Sequence, residues 1–144
     1  MRVVLDTNIV VSGLLWRRAP RALLDAARDA RIDLFTSAWL LDELSDVLPR
    51  AKLQAKVRAS GLSPGELLAG YAQLARLVLA ANVPPVVLAD PEDDHVLACA
   101  LAAQADLIVS GDSHLLNLKA YQGIPIVLAA DALRLIGSVD TGTQ

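Results

Sequence analysis

The sequence is poor in two features that often define a class of protein, cysteine and long hydrophobic runs. Cys99 is the only cysteine among 144 residues, so no intrachain disulfide can form and a reducing cytoplasm is the expected location. Hydrophobic residues make up 54% of the chain, but Asp6, Asn82, Pro84 and Pro85 interrupt them. No run approaches the ~18 residues that cross a bilayer, and no secretory signal is recognised. We therefore expect a soluble protein without a membrane segment.

The length of the chain suits one domain, and the charge is distributed unevenly between its two halves. We expect a single domain over residues 1–137 and a frayed tail over 138–144. The net charge is −3, but residues 1–62 hold ten Lys and Arg against seven acids, whereas residues 63–144 hold three against nine. An uneven distribution of this kind leaves room for an anionic partner at the first half.

Cations cluster in two places in that first half. One cluster follows the first predicted helix and the other lies between Val47 and Gly65, where no acid occurs. Such clusters can hold phosphate groups, although a charge run more often only keeps a helix solvated. The members are Arg17, Arg18 and Arg21 in the first cluster, and Arg50, Lys52, Lys56 and Arg58 in the second.

Strand-like and helix-like segments alternate along the whole chain. Short apolar strands are predicted at 3–5, 32–36, 77–81, 107–110 and 124–128. Helices are predicted at 7–16, 20–31, 38–47, 51–59, from 64 onward, at 91–104, 114–120 and 130–136. This alternation predicts an α/β fold in which a parallel sheet lies between two layers of helices.

Several helix ends carry recognisable capping residues. Ser37 is positioned as an N-cap, and Ser63 with Glu66 forms a capping box around a proline at the first helical position. Asp90 precedes Pro91 in the same way, and Gly137 is expected to stop the last helix.

Acidic residues recur where an apolar side chain or a strand end is expected. Asp6 and Asp112 follow the ends of predicted strands, and Glu43 lies at the edge of the buried stripe of its helix. Asp93 and Asp94 lie on the two shoulders of the next such stripe. Two acids facing a core are costly unless they are paired or bind a metal ion.

Each of these residues also has an ordinary structural interpretation. Asp6, Asp90 and Asp112 each precede a helix, where aspartate is a favoured cap. Glu43 could be a boundary residue, Asp93 the third-position partner of an Asp90 cap, and Cys99 a small core residue, while His95 and His114 are expected at the surface. The functional interpretation depends on convergence at one edge of the sheet, where unpaired carboxylates would repel one another and a divalent cation would relieve the repulsion. Oxygen ligands without a cysteine or histidine cluster favour Mg²⁺ or Mn²⁺ over zinc.

Four segments together carry a resemblance to a known family. They are Val4-Leu5-Asp6-Thr7-Asn8, the helical Glu43, Asp90-Pro91-Glu92-Asp93-Asp94-His95-Val96-Leu97-Ala98, and Ile108-Val109-Ser110-Gly111-Asp112. In this order they resemble the PIN-domain family of metal-dependent ribonucleases, over nearly the whole chain. More narrowly they resemble a bacterial subgroup described as toxins of toxin–antitoxin modules. In the best-known toxins a Thr-Arg-Asn turn lies near the fourth acid, whereas here the acid itself is in the turn.

The resemblance implies a fold, a site and a reaction. The fold is a three-layer sandwich around four or five parallel strands with the first at the centre, and the reaction is endonucleolytic RNA hydrolysis that leaves 5′-phosphate and 3′-hydroxyl ends. Asp6, Asp94 and Asp112 would contact Mg²⁺ or Mn²⁺, and Glu43 would hold or deprotonate the attacking water. Supporting roles are implied for Asn8, Ser110 and Asp93, with Asp94 preferred to Asp93 as ligand because Leu97-Ala98 then matches the family pattern. The expected RNA contacts are Arg17, Arg18, Arg50, Lys52 and Lys56.

The resemblance also implies partners, and other functions remain alternatives. An antitoxin protein would dock in an apolar groove near the helices from 37 to 61, with Trp39 at its entrance, and the high apolar content favours a homodimer. An RNA-processing nuclease without a toxin role, a Mg²⁺-dependent phosphotransfer protein of the receiver or dehalogenase type, and a non-catalytic RNA-binding module are the alternatives. Asn8, where a dehalogenase would have an acid, and the lack of a lysine after the last strand argue against phosphotransfer.

Overall fold

The described chain alternates strands with helices from its first residues. The computed structural model describes residues 1–81 and 93–142, with side chains up to residue 137. The strands are β1 (Arg2–Leu5), β2 (Asp33–Thr36), β3 (Arg76–Leu77), β4 (Leu107–Val109), β5 (Ala120–Tyr121) and β6 (Ile124–Val127). The helices are α1 (Thr7–Leu15), α2 (Ala19–Arg28), α3 (Ala38–Val47), α4 (Gln54–Ser60), α5 (Pro64–Leu74), α6 (Asp93–Ala103), α7 (Ser113–Leu118) and α8 (Ala129–Gly142), with a 3₁₀ turn at Ala51–Leu53.

All six described strands belong to one sheet, in the order β3-β2-β1-β4-β6-β5. The first five of these run parallel, and β5 pairs antiparallel with β6 at the edge. The central strand is β1, where Val4 lies opposite Phe35 on one side and Ile108 on the other. The predicted parallel sheet with the first strand inside it is therefore confirmed, and the antiparallel β5 is an addition.

Alternation along β1 divides the core into two halves. Successive side chains of a strand point to opposite faces, so Val3 and Leu5 pack in one cluster and Val4 in another. The first cluster holds residues of α1, α2 and α8, and the second holds the buried face of α6. Because each face of the sheet is covered by helices, the chain forms the predicted three-layer sandwich.

The predicted caps are present in the described residues. Ser37 Oγ accepts the backbone N–H of Leu40 at 3.3 Å and starts α3. At the start of α5, Ser63 Oγ accepts the N–H of Glu66, and Glu66 Oε1 accepts the N–H of Ser63, both at 3.1 Å. Each bond satisfies a backbone donor that the first helical turn leaves without an intrahelical partner.

Several predicted boundaries are wrong because local tertiary context overrides the pattern. α2 ends at Arg28, not residue 31, and the chain then turns through Ala30 at φ 60°. The basic segment after Pro49 begins as a 3₁₀ turn before α4. β3 has two residues in place of 77–81, since its pairing with β2 covers only Arg76 and Leu77.

The C-terminal part differs in two further places. The predicted helix 114–120 ends at Leu118, where Lys119 takes φ 63° and the chain turns into β5. The last helix passes through Gly137 and continues to Gly142, because a glycine inside a helix costs only about 1 kcal/mol relative to alanine. The predicted helix start at Asp90 and Pro91 lies outside the described residues. No described helix is both long and apolar enough to cross a membrane.

Candidate metal centre

Two adjacent parallel strands bring distant acids to one edge of the sheet. Asp6 directly follows β1, and Asp112 follows β4 after Ser110 and Gly111. The strands are paired in register, with Leu5 opposite Val109, and the N–H of Asp6 donates to the carbonyl of Val109 at 3.0 Å. The residues that follow both strands therefore meet at the carboxyl edge of the sheet, where α/β proteins usually bind ligands.

Asp6 is buried and held by directed hydrogen bonds. Only 7% of its surface is exposed. Its Oδ1 accepts the N–H of Thr7 at 2.7 Å, which caps α1, and its Oδ2 accepts the hydroxyl of Ser110 at 2.9 Å. Such bonds offset part of the cost of burying a carboxylate and fix its orientation. The capping and the functional interpretations of Asp6 are thus compatible.

Ser110 links the acids of the two strand ends. Its hydroxyl oxygen also accepts the N–H of Asp112 at 3.0 Å. Asp112 in turn accepts the N–H of His114 on Oδ1 at 2.7 Å and starts α7. One fully buried serine side chain therefore orients both Asp6 and the backbone of Asp112.

Two helices complete a small cavity of about 140 Å³ at this edge. Glu43 comes from α3, where it is half-buried as its stripe-edge position predicts, and Asp93 comes from the first residue of α6. In the described part of the chain, the lining consists of four carboxylates, one cation and three other side chains: Asp6, Glu43, Asp93, Asp112, Arg50, Thr7, Asn8 and Val47. The convergence of acids that the sequence suggested is therefore a feature of the structure.

The structure brings Asp93, not Asp94, into this cavity. Asp93 is 5% exposed and lines the cavity. Among the described residues, Asp94 is absent from the lining, and it is half-buried on α6. The cavity thus includes Asp93 among the described residues, and the choice of Asp94 as metal ligand stays a prediction. The helix wheel had placed both acids on shoulders of the stripe, and the family pattern alone separated them.

The donor atoms at this edge fit a divalent cation. Asp93, Asp112 and His114 each offer one ligand atom, and the three atoms lie within 4.8 Å of one another. Asp93 and Asp112 also line the cavity. These two acids therefore belong both to the group with His114 and to the cavity with Asp6 and Glu43. Thr7 lines the cavity as well, and its buried Oγ1 has no hydrogen-bond partner among the described residues. Carboxylate oxygens and one imidazole nitrogen suit Mn²⁺ well and Mg²⁺ through the oxygens.

His114 is the candidate ligand that sequence reasoning missed. It was expected at the surface, and its side chain is indeed about half exposed, with Nδ1 3.5 Å from Asp112 Oδ1. The available signal was its position two residues after Asp112, at the start of α7.

The predicted RNA-contact residues lie in four places. Arg50 lines the acidic cavity. Arg17 and Lys56 line a second cavity of about 500 Å³, and Arg18 lies with its Cζ 5.9 Å from the ring of Trp16. Lys52 is exposed on the 3₁₀ turn and, within the described chain, lines neither cavity.

An apolar cavity lies near the helices where a docking groove for an antitoxin was predicted, and the antitoxin itself stays a prediction. The cavity measures about 320 Å³ and lies between the end of α3 and the start of α5, lined among others by Leu48, Val57 and Pro64. Trp39 is outside the described lining of that groove and stacks on His95, with ring centroids 3.9 Å apart and planes 5° from parallel. The stack joins α3 to α6, the two helices that supply Glu43 and Asp93.

Cys99 and Tyr71 are buried, and burial opposes the ionisation that a nucleophile needs. Burial raises the pKa of Cys99 to about 12, and a hydrogen bond with Ser37 opposes the shift in part. Burial, and to a lesser extent the nearby Cys99, also raises the pKa of Tyr71. Cys99 is therefore a neutral core residue near pH 7, as predicted.

The fold and the site together define an α/β protein with a carboxylate-lined cavity at the carboxyl edge of a parallel sheet. The family model described as PIN domain matches residues 2–114. The chain belongs to the PIN-domain family, whose members are generally metal-dependent nucleases acting on RNA. Searches of curated proteins and of solved structures returned no match.

Proposed function

We propose that this protein is a metal-dependent endoribonuclease that hydrolyses phosphodiester bonds at the cavity of Asp6, Glu43, Asp93 and Asp112. The observation that carries the proposal is the meeting of these four carboxylates in a cavity of about 140 Å³. Asp6 and Asp112 also cap helices, but capping does not require four acids, 106 positions apart in sequence at the extremes, to meet in one cavity.

The ligand set of the proposal is Asp6, Asp93 and Asp112, with His114 as an additional donor. Asp93 replaces Asp94 because it lines the cavity and contributes an oxygen to the group within 4.8 Å. A bound Mg²⁺ or Mn²⁺ would supply an acidified water and offset negative charge on the phosphate.

The side chains have separable roles in this proposal. Ser110 and the N–H of Thr7 hold the Asp6 carboxylate in one orientation. Glu43 comes from α3 and lines the cavity half-buried, so we assign it the removal of a proton from the attacking water. Arg50, the one cation in the described lining, would bind a non-bridging phosphate oxygen. Asn8 is assigned a supporting role at the rim.

The biological setting that we propose follows the resemblance to bacterial toxins. In that setting the protein acts in the cytoplasm as the toxin of a toxin–antitoxin module, as a homodimer, and is inhibited by a cognate antitoxin. The apolar groove of about 320 Å³ at the end of α3 is available for such a partner. Co-expression with the product of the neighbouring gene, followed by size exclusion, tests this: a stable complex that restores growth supports the toxin role, and free protein without toxicity contradicts it.

The decisive experiment is cleavage of a labelled structured RNA pool by purified protein. Mn²⁺ and Mg²⁺ should support cutting and EDTA should abolish it. Asp6→Asn keeps a good helix cap but removes one charge from the cavity, so it should fold and lose at least about 100-fold in rate. Cutting that persists in EDTA, or that the variant retains, would contradict the proposed site.

A further inference from the structure

A second cavity has the opposite charge to the acidic one. It measures about 500 Å³, and among the described residues four cations line it against a single acid: Arg17, Arg21, Arg28 and Lys56, with Glu66. Within the described chain, no residue lines both cavities. Glu66 already accepts the N–H of Ser63 in its capping box. The charge balance inside this cationic cavity therefore favours an anion.

The packing of α1 on α2 builds one wall of the cationic cavity. A side chain at Gly13 would lie 2.8 Å from Leu24 Cδ1 and 3.0 Å from the Pro20 carbonyl oxygen, so glycine permits the close approach. Arg21 then donates from Nε to the carbonyl of Gly13 and from Nη2 to that of Leu14. These partners are carbonyls, so they orient the guanidinium without cancelling its charge.

Two exposed cations line the cavity, Lys56 on α4 and Arg17 in the loop after α1. Lys56 on α4 lies with its Nζ 5.4 Å from the ring of Trp16, a distance at which a cation and an indole attract each other. Arg17 follows Trp16 directly and also lines the cavity. Arg28 contributes less, since it is paired with Asp25 at 2.8 Å. The available positive charge is thus that of Arg17, Arg21 and Lys56.

Leucine side chains from α1 and α5, together called the leucine wall, also line the cavity among its polar groups. They are Leu14, Leu15, Leu67 and Leu74. A site of this volume lies in the usual range for small-molecule and cofactor sites, about 300–1,000 Å³. A ligand that matches both walls carries an anionic group and a flat or apolar part, and a nucleotide has both.

We propose that the cationic cavity binds a nucleotide, with its phosphate against Arg17, Arg21 and Lys56 and its base against the leucine wall. The nucleotide is either free or part of an RNA strand. Asn8 near the start of α1 lines the acidic cavity, whereas Leu14 and Leu15 at its end line the cationic one. At a rise of 1.5 Å per residue the two cavities are separated by about 10 Å along the helix. A strand could reach both, and in that form the inference rests on the proposed nuclease function.

The test measures binding in EDTA, where no cutting interferes. The probes are adenosine 5′-monophosphate, adenosine, and a fluorescein-labelled single-stranded RNA pentamer. Arg17→Ala/Lys56→Ala should weaken binding of the phosphate-bearing probes at least about tenfold, and adenosine should bind at least about tenfold more weakly than its monophosphate. The matched control is Arg76→Ala/Arg134→Ala, which removes the same charge from two exposed residues that form surface ion pairs and lie outside the described lining of the cationic cavity. It should change binding by less than about twofold.

The outcomes distinguish a free nucleotide from an RNA strand, and the cavity proposal from the nuclease proposal. Binding of the monophosphate supports a free nucleotide, and binding of the pentamer alone supports a nucleotide within a strand. The inference would be overturned if both double variants lost binding equally, or if adenosine bound as tightly as its monophosphate. It would also be overturned if the cavity bound poly-glutamate but no nucleotide. If wild type binds but never cuts RNA, only the nuclease proposal fails. If it cuts and the cavity variant binds normally, only the cavity proposal fails.

Discussion

The hydroxyl of Ser110 donates to Asp6 Oδ2 across 2.9 Å and accepts the N–H of Asp112, joining residues that lie more than 100 positions apart. We expect Ser110→Ala to lower the free energy of unfolding by about 1–3 kcal/mol, because a buried carboxylate oxygen loses its donor. Mn²⁺ affinity should fall about 10–100-fold for the same reason. Calorimetric titration and denaturant unfolding measure the two effects separately.

Ser113→Ala is the control for this change. Ser113 is exposed and follows the Asp112 cap of α7, so its loss should leave both quantities near wild type. Wild-type Mn²⁺ affinity in Ser110→Ala would show that the serine has only a packing role.

The neighbouring acids of α6 give the sharpest pair of variants. Asp93→Asn should abolish Mn²⁺ binding and RNA cleavage, because Asp93 lines the acidic cavity. Asp94→Asn makes the same chemical change one residue away and should keep at least about half of the activity. Measured together with thermal unfolding, the pair tests the assignment directly, and the reverse pattern would restore Asp94 as the ligand.

His114 should decide which ion the site prefers. Its imidazole belongs to the group with ligand atoms within 4.8 Å, and Mn²⁺ accepts nitrogen ligands more readily than Mg²⁺. His114→Ala is expected to weaken Mn²⁺ binding about tenfold and Mg²⁺ binding much less, which parallel titrations would detect. Equal losses for the two ions would assign His114 a general electrostatic role, and no loss for either would remove it from the site.

Two helical glycines should respond in opposite directions to alanine. At Gly13 the added Cβ would lie 2.8 Å from Leu24 Cδ1 and 3.0 Å from a backbone oxygen, whereas at Gly70 nothing lies within 4 Å. Gly13→Ala should therefore destabilise the protein by about 1–3 kcal/mol through overpacking, and Gly70→Ala should stabilise it by up to about 1 kcal/mol through helix propensity. Denaturant unfolding checks both. A stabilising Gly13→Ala would mean that α1 and α2 can separate at little cost.

The sequence was sufficient for features that local patterns encode. Asp6 and Asp112 were recognisable because each follows a short apolar strand, and Glu43 because it interrupts a buried stripe. The caps at Ser37 and Ser63 depend on residues three positions apart, and both are present. Parallel order followed from the alternation of strands and helices.

What the sequence could not supply depends on contacts between distant elements. A wheel with 100° per residue placed Asp93 and Asp94 on either shoulder of one stripe, so only the packing of α6 could separate them. The edge strand β5 has two residues and exists through its pairing with β6. The cationic cavity likewise combines residues of α1, α2, α4 and α5, and no local pattern joins them.

The four carboxylates that line the cavity of about 140 Å³ also affect the stability of the whole molecule. Like charges at this density oppose folding, and a ligand that binds only the native state stabilises it by RT ln(1 + [L]/Kd), about 2.7 kcal/mol at a hundredfold excess over Kd. If the cavity binds a divalent ion as proposed, the fraction of folded chains and the fraction of active ones depend on the same ion concentration. Depletion of that ion would then silence the protein and expose it to proteolysis at the same time.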